Sequence, residues 1–91
     1  MIRMKGRELA GKILAELPEN IRDVYISVGL LENGRYVSGV DCGGLTKNGE
    51  KFSYQFESPE AEAWAAAEMV YQTCQTQGLT VSKGFFKHRE E

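Results

Sequence analysis

Two Asn-Gly pairs, fifteen residues apart, constrain the fold of this chain more than any other feature. Asn33-Gly34 and Asn48-Gly49 each lie between oppositely charged residues, with alternating apolar positions on both sides. This pattern indicates a two-residue β-hairpin turn, because Asn and Gly both tolerate the positive φ that a type I′ turn requires. Two such turns predict a three-stranded antiparallel meander and fix its register, which decides which side chains share a face.

The segments around the turns predict strands at about 24–31, 35–42 and 51–57. In the third, Phe52, Tyr54 and Phe56 alternate with polar residues, so one face is aromatic. Residues 79–82 alternate in the same way and predict either a short fourth, edge strand or an ordered tail. We expect residues 84–91 to form a flexible tail.

Two helices complete the prediction. The first spans residues 5–17 and ends before Pro18, because the residue preceding a proline disfavours the α region. The second begins with Ser58 as N-cap and Pro59 at the first helical position, and Gly78 closes it. With 91 residues the chain is one domain, and the expected class is α+β, an α-β-β-β-α order with both helices on one face of the meander. The stripe expected to bury the first helix is Leu9, Ala10, Ile13, Leu14 and Leu17.

Both turns, taken as two-residue loops, assign the two faces of the sheet. They pair Val28 with Gly39, and Asp41 with both Ile26 and Phe56. The face expected under the helices consists of Val24, Ile26, Val28, Leu30, Val37, Gly39, Gly43, Leu45, Phe52, Tyr54 and Phe56.

Asp41 does not fit this assignment, because the register places a carboxylate on the apolar face. Three explanations are open. A β-bulge near 42–44 would re-aim the side chain. A buried hydrogen bond, to Tyr71 or to a backbone amide, would satisfy it in place. Otherwise the carboxylate has a function.

The other face carries Tyr25, Leu31, Tyr36 and Val40, which form an apolar and aromatic patch if no element covers it. Tyrosine-rich patches with polar rims are typical of protein interfaces. Alternatively, the C-terminal segment with Val81, Phe85 and Phe86 folds over this face. The same register places Cys42 away from the helical side that holds Cys74, so we expect no disulfide between them.

No residue pattern predicts catalysis, a metal or a cofactor. The single histidine, His88, lies in the expected tail, and a base needs a fixed position. The two cysteines lack metal-ligand spacing. There is no export signal and no apolar run of the ~18 residues that span a membrane, so we expect a non-enzymatic, cytoplasmic protein.

The α-β-β-β-α order resembles the double-stranded RNA-binding domain, which presents lysines at the start of its second helix to bridge phosphates. Here that position reads Ser58-Pro59-Glu60-Ala61-Glu62-Ala63, and its glutamates would repel a phosphate backbone. The binding residues of that family are thus not found here. A nucleic-acid-binding domain is the alternative function, with contacts from the basic start of the chain: Arg3, Lys5, Arg7 and Lys12.

Residues 24–77 resemble small α+β proteins of phages and mobile elements, including anti-CRISPR proteins. There too, a short meander with Asn-Gly-type turns leads through a Ser-Pro-Glu-Ala start, here Ser58–Ala61, into an alanine-rich helix. The resemblance implies an inhibitor that occupies a surface on a host defence complex. The expected function is therefore protein binding, and the alternative for the same patch is a homodimer. The expected contact residues are Tyr25, Leu31, Tyr36 and Val40, with Glu60 and Glu62 as a second candidate.

Overall fold

The computed structural model describes residues 5–32 and 35–85, and the side chains of residues 5–29 and 38–82. The described chain is an α+β domain with two helices and one four-stranded sheet, which confirms the predicted fold class. Neither helix in this part is long and apolar enough to cross a membrane. The elements are α1 (Gly6–Glu16), β1 (Ile21–Glu32), β2 (Arg35–Thr46), β3 (Lys51–Glu57), α2 (Glu60–Thr76) and β4 (Thr80–Phe85).

The sheet has the strand order β3-β2-β1-β4. The predicted antiparallel meander is confirmed, and the fourth strand exists as an edge strand that runs parallel to β1. The segment up to Phe85 therefore lies beside β1 and does not cross the face of the sheet. Gly84 and Phe85, the first two residues of the expected tail, belong to β4. Phe86 and the rest of the tail lie outside the described residues.

Both helices pack on one face of the sheet. α2 lies across β4, β1 and β2, whereas α1 packs mainly against α2 and reaches β3. Three alanines of α2, Ala63, Ala66 and Ala67, are fully or almost fully buried, and such small side chains allow a helix to approach a sheet closely. The predicted α1 stripe is confirmed, with Leu14 and Leu17 partly buried at its end.

The ends of α2 differ in how well the sequence predicts them. Pro59, not Ser58, is the N-cap residue, and the Ser58 hydroxyl donates to the Pro59 carbonyl oxygen instead of capping the helix. At the other end the prediction for Gly78 is confirmed. Its φ is +80°, Leu79 N–H donates to the Cys74 carbonyl at 3.1 Å, and Gly78 N–H donates to the Gln75 carbonyl at 2.9 Å. These two bonds form a Schellman motif.

A β-bulge in β2 changes the face assignment that the turns predict. Glu32 pairs with Arg35 and Leu30 with Val37, as a two-residue loop requires, although the turn residues 33–34 lie outside the described residues. Beyond them, Ser38 and Gly39 together lie opposite Gly29, so Val28 pairs with Val40 instead of Gly39. The extra residue shifts the register by one and reverses the faces of the rest of β2.

The second hairpin also differs from its predicted form. Thr46 N–H donates to the Glu50 carbonyl, Gly49 N–H donates to the Thr46 carbonyl, and Gly49 has a φ of +85°. This is a three-residue loop with glycine in the left-handed position, a common alternative to the two-residue turn. As a result Phe56 pairs with Val40, not with Asp41, and Phe52 pairs with Gly44, not with Leu45.

Beyond the bulge, the register therefore places Val40, Cys42 and Gly44 on the helix face of β2, where the sequence predicted Gly39, Asp41, Gly43 and Leu45. Val40 and Cys42 have no exposed surface and belong to the core cluster with Ile26, Val28 and Val70. Phe52, Tyr54 and Phe56 remain on the helix side as predicted, and they are half-buried because β3 is an edge strand.

The register change also corrects the prediction for Cys42. This residue and Cys74 are both fully buried in the core, and both thiols are free. Burial, with smaller contributions from Cys74 and Asp41, raises the pKa of the Cys42 thiol to about 12, and burial also raises the pKa of Cys74. The thiolate is the reactive form of cysteine, so both side chains are inert in the folded state.

We expect neither cysteine to react with iodoacetamide at neutral pH while the domain is folded. After unfolding in urea, both should be alkylated, and mass spectrometry counts the adducts. An adduct formed on the folded protein within the same time would contradict the burial of Cys42 and Cys74.

Candidate interaction surface

The sheet face opposite the helices, which we call the open face, is the candidate functional site. No described helix lies on it. Its two edges are exposed, and its centre on β1 and β2 is partly exposed. By register, its residues are Asp23, Tyr25 and Ser27 of β1, Gly39, Asp41, Gly43 and Leu45 of β2, Lys51, Ser53, Gln55 and Glu57 of β3, and Thr80 and Ser82 of β4.

Tyr25 is the large aromatic residue of this face and is 39% exposed. It lies opposite Gly43 in the β1–β2 ladder. A Cβ on Gly43 would lie 2.8 Å from the Tyr25 hydroxyl and 2.7 Å from the Phe52 carbonyl oxygen, so the absence of a side chain there makes room for the tyrosine. The ring thus lies across β2 on the open face, which is the face that the sequence predicted for Tyr25.

A shallow groove of about 570 Å³ lies next to the Tyr25 ring. Sequence reasoning missed this groove, because it placed Leu45 on the helix face. The three-residue loop moves Leu45 to the open face, where it pairs with Lys51. The open-face residues that line the groove are Asp23, Tyr25, Leu45, Lys51, Ser53 and Ser82, and the strand residues Val24, Gly44 and Phe52 complete it.

Asp41 lies on the open face, between Ser27 and Gln55 in the two ladders. A bulge does re-aim it, as one of the three explanations held, but the bulge is at Ser38-Gly39, before Asp41 rather than after it. The Asp41 Oδ1 atom is buried and accepts no hydrogen bond. The suggested bond to Tyr71 is wrong, because Tyr71 belongs to α2 on the opposite side of the sheet. Burial raises the pKa of this carboxyl.

Asp41→Asn is expected to stabilise the domain at neutral pH. The folded-state pKa of Asp41 is raised above its unfolded value, so the ionised form is disfavoured by folding. This penalty is fully present above the folded-state pKa and disappears as the pH falls below the unfolded value of about 3.9. In urea denaturation, the difference in the free energy of unfolding between Asp41→Asn and the wild-type protein should shrink as the pH falls. A difference that stays constant or grows in acid would contradict this prediction.

The other predicted contact residues are placed differently. Val40 is fully buried against the helices and cannot contact a partner, because the bulge turned it inward. Leu31 and Tyr36 pair with each other in the β1–β2 ladder, and their side chains lie outside the described residues. The alternative in which Val81 helps to cover this face is wrong, since Val81 packs against the core on the helix side.

Glu62, the second predicted contact on α2, has a role inside the domain. Its carboxylate accepts a hydrogen bond of 2.6 Å from the backbone N–H of Gly6, at the first turn of α1. The negative charge lies at the positive end of the helix dipole and satisfies a donor that has no partner within the helix. Glu60 accepts a longer bond of 3.4 Å from the Trp64 indole N–H on the surface.

Glu62→Ala should lower the free energy of unfolding by about 1 kcal/mol, the usual cost of a lost helix cap. Glu60→Ala is the matched control, since its bond to Trp64 is long and exposed, and the expected change is within about 0.5 kcal/mol. Equal effects of the two substitutions in chemical denaturation would contradict the capping role of Glu62.

The basic residues proposed for nucleic-acid contact do not form one described patch. Lys5 is the N-cap residue of α1, and Arg7 lines a groove between α1 and α2 beside Met69. Lys12 lies beside Phe56 and Ser58, at the β3 side. Lys12 comes five positions after Arg7 in the helix, which is a rotation of about 140° around the axis. Arg3 lies outside the described residues.

Neither a metal-binding cluster among the described residues nor a similarity to a known protein assigns a role to the open face. In residues 5–32 and 35–85, no three His, Cys, Asp or Glu side chains are grouped so that they could hold a metal ion. The chain has no match among protein-family models, curated proteins or solved structures. The function must therefore be inferred from the open face itself.

Proposed function

We propose that this chain is a non-enzymatic protein-interaction module that binds its partner through the open face. The observation that carries the proposal is Tyr25, which is 39% exposed and is held across Gly43 beside the groove. Rigid, partly exposed tyrosines surrounded by polar residues are frequent anchors of protein interfaces. The rim here is polar, with Ser53 and Ser82 exposed on the flanking strands.

The nature of the described thiols supports a non-enzymatic role. Both are buried, and the raised pKa values keep them protonated, so neither can serve as a nucleophile.

Nucleic-acid binding is less well supported, because Arg7 and Lys12 face different sides of α1. On the open face Lys51 is accompanied by three carboxylates, Asp23, Asp41 and Glu57.

In the form that the anti-CRISPR resemblance implies, the partner is a protein surface of a host defence complex. Expression of this chain in bacteria with an active CRISPR system would then protect an infecting phage, and Tyr25→Ala would abolish the protection. Trp64→Ala is the control, since Trp64 is 42% exposed on α2, which packs on the other side of the sheet. Protection that Tyr25→Ala leaves intact would contradict an inhibitor acting through the open face.

Site-specific photo-crosslinking in living cells tests the binding surface directly. A benzophenone amino acid at Ser53 or Ser82, on the open face, should crosslink a partner, whereas the same group at Gln72, exposed on α2, should not. Equal crosslinking from Gln72 would contradict the open face as the binding surface. A crosslinked product with twice the mass of this chain, together with a dimer in light scattering, would show that the partner is a second copy.

A further inference from the structure

β3 is an edge strand without the usual protection against pairing with another strand. Among the described strands it pairs only with β2, and the described chain ends in β4, at the opposite edge of the sheet. β3 contains no proline, its ladder with β2 has no bulge, and its charged residues, Lys51 and Glu57, stand only at its ends. Proline, bulges and charges along the strand are what commonly protect an edge, because its free backbone groups are a template for a further strand.

The hydrogen bonds at the two ends of β3 show which of its backbone groups point to this free edge. Thr46 N–H donates to the Glu50 carbonyl at 2.8 Å, and Ser58 N–H donates to the Ser38 carbonyl at 3.1 Å. Hydrogen-bonded pairs alternate in an antiparallel ladder, so the even-numbered residues of β3 bond to β2. The odd-numbered residues direct their N–H and C=O groups to the free edge, and these are Lys51, Ser53, Gln55 and Glu57.

The sequence of β3 is complementary to its own reverse. In an antiparallel pair of two β3 strands centred on Tyr54, opposite charges meet at both ends and aromatic side chains meet on the helix side. The residues with outward-pointing backbone groups also face one another, as a hydrogen-bonded ladder requires. A parallel pair in register would bring like charges together instead. The rows of the antiparallel pair are Lys51 with Glu57, Phe52 with Phe56, and Ser53 with Gln55.

A cleft beside the C-terminal half of β3 leaves room for a second strand. It has a volume of about 280 Å³ and lies between Leu9 and Lys12 of α1 and residues 55–58. Phe56 lines this cleft and is half-buried. In the pair centred on Tyr54, Phe52 of a second copy lies next to Phe56 and can enter the cleft. Because the strands are antiparallel, the two equivalent clefts lie at opposite ends of the strand pair.

We propose that two copies of this chain associate through β3, in the antiparallel register centred on Tyr54, to form one continuous sheet. The contact is isologous, so each row of the strand pair occurs twice around a two-fold axis perpendicular to the sheet. Both copies then carry their helices on the same side, and their open faces form one surface. The inference goes beyond the proposed function, because the contact lies at a strand edge and not on the open face.

Light scattering over a range of protein concentrations tests for the dimer, and charge reversal tests its register. Lys51→Glu places like charges at both ends of the strand pair, so the dissociation constant should rise roughly tenfold or more. Glu57→Lys should act in the same way. The double variant with both substitutions restores opposite charges, so its dissociation constant should return to near the wild-type value. A wild-type monomer at millimolar concentration, or a double variant that dimerises as weakly as the single variants, would overturn the inference.

Gln55→Pro tests the pairing of the backbones. The Gln55 N–H points to the free edge, so proline at this position removes a bond to the second copy and none to β2. We expect a monomer whose circular dichroism spectrum resembles that of the wild-type domain. A folded dimer of Gln55→Pro would overturn the inference, and the charge variants decide the matter if this variant does not fold.

A disulfide locates the symmetry axis. Tyr54→Cys places two thiols in a non-hydrogen-bonded pair with Cα atoms about 4.5 Å apart, which suits a disulfide. Mild oxidation should therefore give a covalent dimer of Tyr54→Cys. Lys51→Cys is the matched control, because in this register the two copies of that residue lie about 20 Å apart. The native Cys42 and Cys74 are buried and do not interfere. Faster crosslinking of Lys51→Cys would overturn the antiparallel register.

Two outcomes separate this inference from the proposed function. Tyr25 is on β1, two strands away from β3, so Tyr25→Ala should leave the dimer intact. A dimer that Tyr25→Ala dissociates would show pairing through the open faces and overturn pairing through the edge. A benzophenone at Ser53 should crosslink a second copy, whereas one at Ser82, on the opposite edge strand, should crosslink only a different partner. A partner captured from Ser82 by a monomeric chain would support the proposed function and refute the dimer.

Discussion

Val40→Asp is expected to lower the free energy of unfolding by about 4 kcal/mol or more, enough to unfold much of a domain of this size. Val40 has no exposed surface and pairs with Val28 and Phe56 on the helix side of the sheet. An unpaired carboxylate there would lose its hydration without gaining a partner. Circular dichroism during urea denaturation measures the change.

Ser53→Asp is the control for Val40→Asp, because Ser53 is exposed on the open face of the neighbouring strand. The same new charge at this position should change stability by no more than about 0.5 kcal/mol. If Val40→Asp were tolerated as well as Ser53→Asp, the bulge at Ser38-Gly39 would be misplaced and Val40 would face solvent.

Gly44→Ala should lower the free energy of unfolding by about 2–5 kcal/mol, because overpacking and backbone strain add together at this position. A Cβ at this position would overlap the carbonyl oxygen of Asp23 and approach the Val24 Cα to 2.9 Å. These atoms belong to the backbone of β1 and cannot turn away as a flexible side chain can. The φ of Gly44, +157°, is also one that L-residues rarely adopt.

Gly49→Ala separates the two effects at Gly44, because Gly49 has a φ of +85° but open space around it. An alanine at Gly49 would introduce only backbone strain, so the free energy of unfolding should fall by about 1 kcal/mol. Equal midpoints for the two variants in thermal denaturation would show that the close approach of β1 to Gly44 contributes nothing.

The meander could be predicted because its signals are local. Asn33-Gly34, Asn48-Gly49 and the alternation of β3 each act over a few residues, and the two hairpins follow from them. The direction of β4 could not be predicted in this way. Its partner β1 is distant in sequence, and alternation is the same in parallel and antiparallel strands.

The faces of β2 were harder to predict, because Ser38 and Gly39 oppose Gly29. Glycines at a bulge carry no side chain that would mark the change of register. The signal was nevertheless present in the sequence, because Val37, Val40 and Cys42 keep an apolar alternation only if one extra residue lies between positions 37 and 40. Asp41 is the residue that this reading moves to the open face.

The candidate site was predictable at Tyr25, whose strand has no bulge between it and the core residues Val24 and Ile26, and on β3, where the alternation leaves Lys51 and Ser53 opposite the aromatic face. Leu45 was missed because its place depends on whether the second loop has two or three residues. An Asn-Gly pair is compatible with both loops, since each needs glycine at a positive φ. Loop length is decided by the strands that flank it.

The pairing of β4 with β1 has a consequence for how this chain folds as it leaves the ribosome. The two hairpins can form once β3 has been synthesised, but β1 gains its second neighbour, β4, only when Thr80 and the residues after it have emerged. A nascent chain that ends at Glu57 would present Ile26, Val28 and Val40 to solvent, because α2, which covers them, comes later. During this interval the exposed apolar face makes the growing chain most prone to aggregate.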